Sequence, residues 1–234
     1  MTPRPAATQS RPIRHADLLL AARSSAAEQV AEAVRWMIVD GLLRPGDKIA
    51  QQAISERLAV SRIPVREALI QMERDGLVIS RPNVGAFVGA FDEEVIRDHF
   101  EVVGRVQALA AERTATRTDK PLLASLRTAR NALAATSDPV EANDLAIEFQ
   151  RVVNRASGSQ RLRSVLRGLS RILPVDIAVH IPGAVEQQQK SIAAMYKAVS
   201  TGRRIEETYV GIARTRAALI IGDLRLRGTF APAP

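Results

Sequence analysis

The sequence predicts a mainly α-helical protein in two parts: three short helices closed by a β-hairpin, and then an all-helical bundle. Hydrophobic residues make up 46% of the 234-residue chain but aromatics only 3%. The core must therefore be built from Leu, Ile, Val and Ala, which suits helices better than a β-sandwich. Apolar residues recur at i, i+3, i+4 spacing along most of the chain, and short β-like runs are confined to about residues 77–88. Beyond Phe91 the character changes to long helical patterns separated by polar breaks.

Residues 1–23 carry Pro3, Pro5 and Pro12 with four arginines against one acid, and read as a flexible basic tail. The apolar cluster Leu18-Leu19-Leu20-Ala21-Ala22 is too short for a signal-peptide core, and no run has the length of a membrane span. The absence of cysteine suits a reducing compartment and excludes thiolate metal sites. A soluble cytoplasmic protein is expected, with no membrane association.

Ala27 to Asp40 carries Val30, Ala33, Val34, Met37 and Ile38 on one helical face, ended by Gly41. Arg44-Pro45-Gly46-Asp47 is turn chemistry. A short helix over about Gln51 to Leu58 turns its Ala53, Ile54 and Leu58 inward, and Ala59-Val60-Ser61 forms the next turn. A third helix over about Ile63 to Arg74 has Ser61 as N-cap, Pro64 in its first turn and Val65, Ala68, Leu69 and Met72 as its buried face. Asp75-Gly76 stops it. The runs Leu77 to Ser80 and Gly85 to Val88, joined by Arg81-Pro82-Asn83-Val84, make a hairpin. Three helices and a hairpin are the plan of a winged helix-turn-helix, placed at residues 24–91.

Residues 92–228 read as helices over about 92–116, 120–135, 141–156, 160–180, 183–200 and 205–225, with turns or kinks at Pro139, Gly158, Pro174, Pro182 and Gly202. Residues 229–234 read as a C-terminal tail. The net charge of +8 lies outside the winged segment, where eight basic side chains balance eight acidic ones. A nucleic-acid reading must therefore rest on where single arginines fall.

The blocks Asp40-Gly41-Leu42-Leu43-Arg44-Pro45-Gly46-Asp47-Lys48-Ile49, Val60 to Leu69, Asp75-Gly76-Leu77-Val78 and Asn83-Val84-Gly85-Ala86 resemble the GntR family of transcriptional regulators. The resemblance implies a third helix that enters the major groove, where Arg62 and Arg66, one turn apart, either read a guanine edge or hold a phosphate. It implies apolar base contact by Ile63 and Pro64, phosphate contact by Ser61, Gln51 and Gln52, and a wing built on Arg81, Asn83 and Gly85. Val84 stands where the family usually has a basic residue, which leaves minor-groove reading to Arg81.

The C-terminal half resembles, more loosely, the FCD effector domain of the FadR branch, through Phe149-Gln150-Arg151, Arg155-Ala156-Ser157-Gly158-Ser159 and Ala193 to Val199 leading to Gly202. Many such domains hold a metal through one aspartate and three histidines. Alignment places Ala146, Gln150, Ile192 and either Arg214 or Thr215 at those positions, so no metal and no other cofactor is expected. Asp144 and Glu148 are read as a solvated acidic face, and His99 and His180 as isolated histidines. Arg105, Arg151, Arg155 and Arg214, with Gln150, are the candidates for binding a small organic effector, the arginines by pairing with an anionic group on it. The resemblance implies a homodimer on a pseudo-palindromic double-stranded operator, acting as a repressor rather than an enzyme. The alternative is a DNA-binding regulator with no small-molecule effector, governed by abundance or a protein partner.

Overall fold

The computed structural model describes residues 25–169 and 171–230. The expected N-terminal tail at 1–23 lies outside them, as do residues 231–234 of the expected C-terminal tail. Helix α1 (Ala26–Val39) opens with a capping box, in which Ser25 Oγ accepts from Glu28 N and Glu28 Oε2 accepts from Ser25 N. α2 (Gln51–Arg57) and α3 (Arg62–Arg74) follow, then β1 (Val78–Arg81) and β2 (Gly85–Val88), paired antiparallel from Val78 opposite Val88 to Arg81 opposite Gly85. The buried face of α3 is Val65, Ala68, Leu69 and Met72, as its periodicity predicts.

Two features of this half differ from expectation. The 44–50 segment is more than a turn: Gly46 N donates to Val88 O, Val88 N to Asp47 O and Ile49 N to Ala86 O, so Lys48 bridges to Phe87 as a third, one-residue strand. On α1 the buried face is Val30, Ala31, Val34, Arg35, Ile38 and Val39, with Ala33 and Met37 only half-buried. The helix is covered on a second side by the C-terminal half, which draws Arg35 into the interior.

The bundle comprises α4 (Glu93–Ala115), α5 (Lys120–Ala135), α6 (Pro139–Ala156), α7 (Gln160–Leu169), α8 (Ala184–Thr201) and α9 (Ile205–Leu226). Asp92, Asp119 and Asp138 cap α4, α5 and α6 by accepting from a first-turn amide. The expected helix over 160–180 is interrupted. After α7 the chain runs through Pro174, which cannot donate to a helical ladder, into a 3-10 turn at Ile177–His180. This irregular strap, residues 171–183, lies against α1. Val175 N donates to Glu32 Oε1 (2.8 Å), Trp36 Nε1 donates to Asp176 Oδ1 (3.2 Å), and the His180 ring meets Trp36 edge-on at 5.1 Å.

Apolar packing consequently does not break near residue 91. One core cluster joins the winged half to Ile96 and Phe100 of α4, Leu173 and Ile177 of the strap, and Ala213 to Leu224 of α9. A second lies within the bundle around Phe149, Val153, Met195 and Tyr209. Thr229 and Phe230, which the sequence reading assigns to the tail, pack on this body: Thr229 Oγ1 donates to Val39 O, and Phe230 lies against Phe91. Among the described residues no helix is long and apolar enough to cross a membrane.

The longest helix pair, α4 and α9, meets at Gly104, where a Cβ would stand 2.8 Å from Ala213 Cβ and 3.1 Å from Val210 Cα. Gly104→Ala is therefore expected to destabilise the fold by about 1–3 kcal/mol through overpacking. Gly211→Ala on exposed α9 surface, where a Cβ meets nothing within 4 Å, is expected to stabilise by about 0.5–1 kcal/mol. Chemical denaturation followed by circular dichroism measures both.

Candidate nucleic-acid interface

α2 and α3 are joined through Ala59 in the left-handed region (φ 52°), and Ser55 Oγ donates to Val60 O to close the turn. α3 begins after Ser61, whose extended backbone suits an N-cap (φ −70°, ψ 169°) but whose hydroxyl makes no cap hydrogen bond. The expected side-chain cap is thus absent. Pro64 in the first turn removes a donor that would have had no helical acceptor. The Ser61 hydroxyl and the first amides of α3 stand at the positive end of the helix dipole, a place suited to an anion.

Gln51, Arg66, Arg81, Asn83, Val84 and Gly85 line one groove of about 480 Å³ between α3 and the hairpin, floored by Leu69 and Ala86. Asn83 (φ 60°) and Gly85 (φ 130°) turn the hairpin tip, where Val84 N donates to Arg81 O. The Arg81 guanidinium lies 4.6 Å from the Phe87 ring centroid. Arg62 and Arg66 project one turn apart from the exposed face of α3, and neither forms an ion pair among the described residues. Ile63, beside them, is 70% exposed. Pro64 is half-buried under the helix start. Gln52 is not brought into the groove, because its amide turns along α2 to Glu56.

The expected effector arginines do not converge. Arg105 and Arg214 both bind Glu101 on the outer surface, at 2.7 and 2.8 Å, and Arg105 also reaches Glu206. Hydrogen bonds from Arg214 and Arg105 hold the Glu101 carboxyl down at about 2. Arg151 and Arg155 both pair with Glu148 on exposed α6 surface. All four point outward because each sits beside a glutamate on a solvated helix face. The inward-facing anion site expected of them is withdrawn.

Gln150 does face inward. Its Nε2 donates to Met195 Sδ at 3.2 Å, and its buried Oε1 has no partner among the described residues. Asn154 Oδ1, one turn along α6, and the hydroxyl of Tyr209, a fully buried residue of α9, are likewise buried without a partner. Burial pushes the Tyr209 phenol up. Sequence reasoning missed Asn154 and Tyr209. Their signals were an amide one turn after Gln150 and a tyrosine in an otherwise aliphatic helix pattern.

At the remaining positions implied for a metal, Ile192 is buried, Ala146 is half-buried against the bundle core, and Arg214 is outside with Glu101. This donor set does not fit a divalent metal. Burial lowers His99 to about 4, with help from the nearby Arg216 charge, and its ring packs edge-on against Phe100.

Residues 26–88 match the family described as bacterial regulatory proteins, gntR family, and residues 98–205 match the FCD domain. An uncharacterized HTH-type transcriptional regulator of Mycobacterium tuberculosis is 31% identical over 147 residues, 63% of this chain and 60% of that protein. The chain thus spans less than two thirds of that relative's length. A regulator of the same description from the TAR-I ttuE-ttuC' intergenic region of Agrobacterium vitis is 35% identical over 134 residues, 57% of this chain and 74% of that protein. Among solved structures, Escherichia coli McbR/YncC shares the fold with a TM-score of 0.60 at 16% identity, covering 86% of this chain and 99% of that one.

The two serine caps make a contrast that stability measurements resolve. Ser25→Ala, which removes a complete capping box, is expected to cost about 1 kcal/mol. Ser61→Ala removes no cap bond, and thermal unfolding is expected to change by less than about 0.5 kcal/mol.

Proposed function

This chain belongs to the GntR family of bacterial regulatory proteins, and we propose that it is a cytoplasmic, homodimeric, sequence-specific DNA-binding regulator that represses by occupying its operator. The observation that carries the reading is the unpaired cationic face of α3. Arg62, Arg66 and the exposed Ile63 stand at an open helix N-terminus, beside a groove that gathers Gln51, Arg81 and Asn83. Arginine recognises guanine bidentately in the major groove, an aliphatic side chain meets a thymine methyl, and arginine and amide side chains beside them suit phosphate contact. Two such domains in a dimer read a pseudo-palindrome, each strengthening the other's modest half-site affinity.

Residues 92–228 serve, in this reading, as the dimerisation and effector unit. The orphaned polar atoms of Gln150, Asn154 and Tyr209 support a small effector that is neutral and rich in hydroxyl or amide groups, in place of the anion the surface arginines first suggested. Two carbonyl acceptors and one phenol are complementary to such a ligand, and no interior cation among them neutralises a carboxylate. Occupancy reaches DNA through the strap that α1 grips, provided that the effector binds one arrangement of strap and winged domain better than the other.

Fluorescence anisotropy with DNA from upstream of the chain's own gene tests the first claim. Arg62→Ala and Arg66→Ala are each expected to weaken binding by about 5- to 150-fold, the range for a lost bidentate base contact. Equal affinity of both variants and the parent protein would refute DNA reading by α3. For the effector, thermal-shift screening with polyols, sugars and carboxylates is expected to raise the melting temperature with a neutral compound, and Tyr209→Phe is expected to abolish that shift while the protein still folds. A carboxylate hit unaffected by Tyr209→Phe overturns the assignment, and the absence of any hit favours a regulator without an effector.

A further inference from the structure

The hairpin tip lacks a cation at Val84, yet the outer face of the hairpin is not without charge. Side chains alternate across a strand, so Ile79 and Arg81 of β1 share one face with Gly85 and Phe87 of β2. The bridge from Lys48 to Phe87 adds a third element to that face. Lys48 is exposed, and its chain runs over the hairpin next to the tip: a Cβ built on Gly85 would stand 3.1 Å from Lys48 Cε and 3.8 Å from its Nζ. Gly85 opposes Arg81 in the register, and the Arg81 guanidinium stands over the Phe87 ring, 4.6 Å from its centroid. Two cations therefore flank the same ring. Neither forms an ion pair among the described residues.

The groove between α3 and the hairpin is lined by Gln51, Arg66, Arg81 and Gly85, whereas Lys48, whose chain passes Gly85, does not line it. Lys48 thus stands beyond the rim of the groove at Gly85, and Val84, 52% exposed, lines the groove at the tip. A DNA minor groove is about 6 Å wide, so a hairpin tip placed in it has one phosphate strand on each side. If the groove side seats one strand, the opposite strand faces Lys48.

We propose that Lys48, carried to the hairpin by its bridge to Phe87, is a DNA contact that holds the phosphate strand on the outer side of the wing, and that with Arg81 it replaces the cation missing from the tip. Val84 then meets the minor groove with an apolar surface. The wing contributes affinity that is independent of sequence, because phosphate contacts position a protein without reading bases. This inference rests on the DNA-binding reading above and adds a residue that the reading does not contain.

The test is the salt dependence of binding by the full chain, measured by anisotropy on the upstream DNA and on an unrelated duplex, for the parent protein, Lys48→Ala, Val84→Lys and Arg66→Ala. One phosphate contact contributes about 0.9 to the slope of log affinity against log salt. Lys48→Ala is expected to make the slope shallower by about that amount and to weaken both duplexes by the same factor, with an unchanged melting temperature. Val84→Lys is expected to steepen it by a similar amount. Parent-like slopes for Lys48→Ala, with binding lost in Arg66→Ala, overturn the role of Lys48 and leave the DNA reading standing. A Lys48→Ala defect confined to the upstream duplex overturns it equally, since it indicates base reading. Parent-like binding by Arg66→Ala as well removes the DNA reading on which the inference stands.

Discussion

Arg35 is the side chain on which the relation between the two halves depends. A guanidinium at 6% exposure is costly unless its charge and donors are matched, and here three separate pieces of the chain meet it. Its Nη1 donates to Glu32 on the same helix at 3.1 Å, its Nε donates to the carbonyl of Arg171 at the start of the strap, and its Nη2 lies 3.8 Å from the carboxylate of Asp75. Asp75 is the C-cap of α3. One cation thus touches the helix that carries the proposed base contacts, the helix that backs it, and the bundle. The match is incomplete, because Nη2 and the facing Asp75 oxygen are buried without a hydrogen bond. Burial raises both Glu32 and Asp75, more than the Arg35 charge lowers either.

That arrangement explains how a helical bundle bears on a winged domain without a long linker. The core runs from α3 through α1 into the strap and the end of α9, so the winged domain has no free hinge at its junction with α4. The irregular element between α7 and α8 is part of that core, with Leu173, Ile177, Ala178 and Ile181 buried in it. Glu32, Arg35 and Trp36 all bind that element. The strap is therefore tied to α1 over more than a helical turn, and through Arg35 and Asp75 to the far end of α3.

What was legible in the sequence follows from the range of the forces involved. The buried face of α3 could be read because it is set by local periodicity, and its C-terminal end because Asp75-Gly76 acts locally. The break inside residues 160–180 was legible only as a turn or kink at Pro174, since Ile172, Leu173, Ile177 and Ala178 continue an apolar pattern that serves packing in the core. The Lys48 bridge was hidden for a different reason: Arg44-Pro45-Gly46-Asp47 carries a strong turn signal, and a one-residue strand has no period of its own. The effector arginines failed because a helical wheel says which residues share a face but not which face meets the next helix. Glu101 and Glu148, each within reach along its own helix, were the sign that those faces are solvated.

The neutral net charge of the winged segment was the weakest point of a nucleic-acid reading, and the structure shows how its charges are engaged. Of the acids, Glu28 caps α1, Glu32 and Asp75 are drawn inward around Arg35, and Asp40 faces Arg227. Asp47 accepts from Arg44 N, Glu73 from Ser80 N and Glu56 from Gln52, each engaged within the fold. Glu67 is the exception. Of the basic side chains, only Arg35 enters an ion pair among the described residues, and Arg62, Arg66, Arg81 and Lys48 are left exposed along α3 and the hairpin. Potential at a surface depends on which charges remain unneutralised there and not on their sum. The segment stays neutral in sum, and what favours DNA is local: Arg62, Arg66, Arg81 and Lys48 stand exposed along α3 and the hairpin with no ion pair among the described residues.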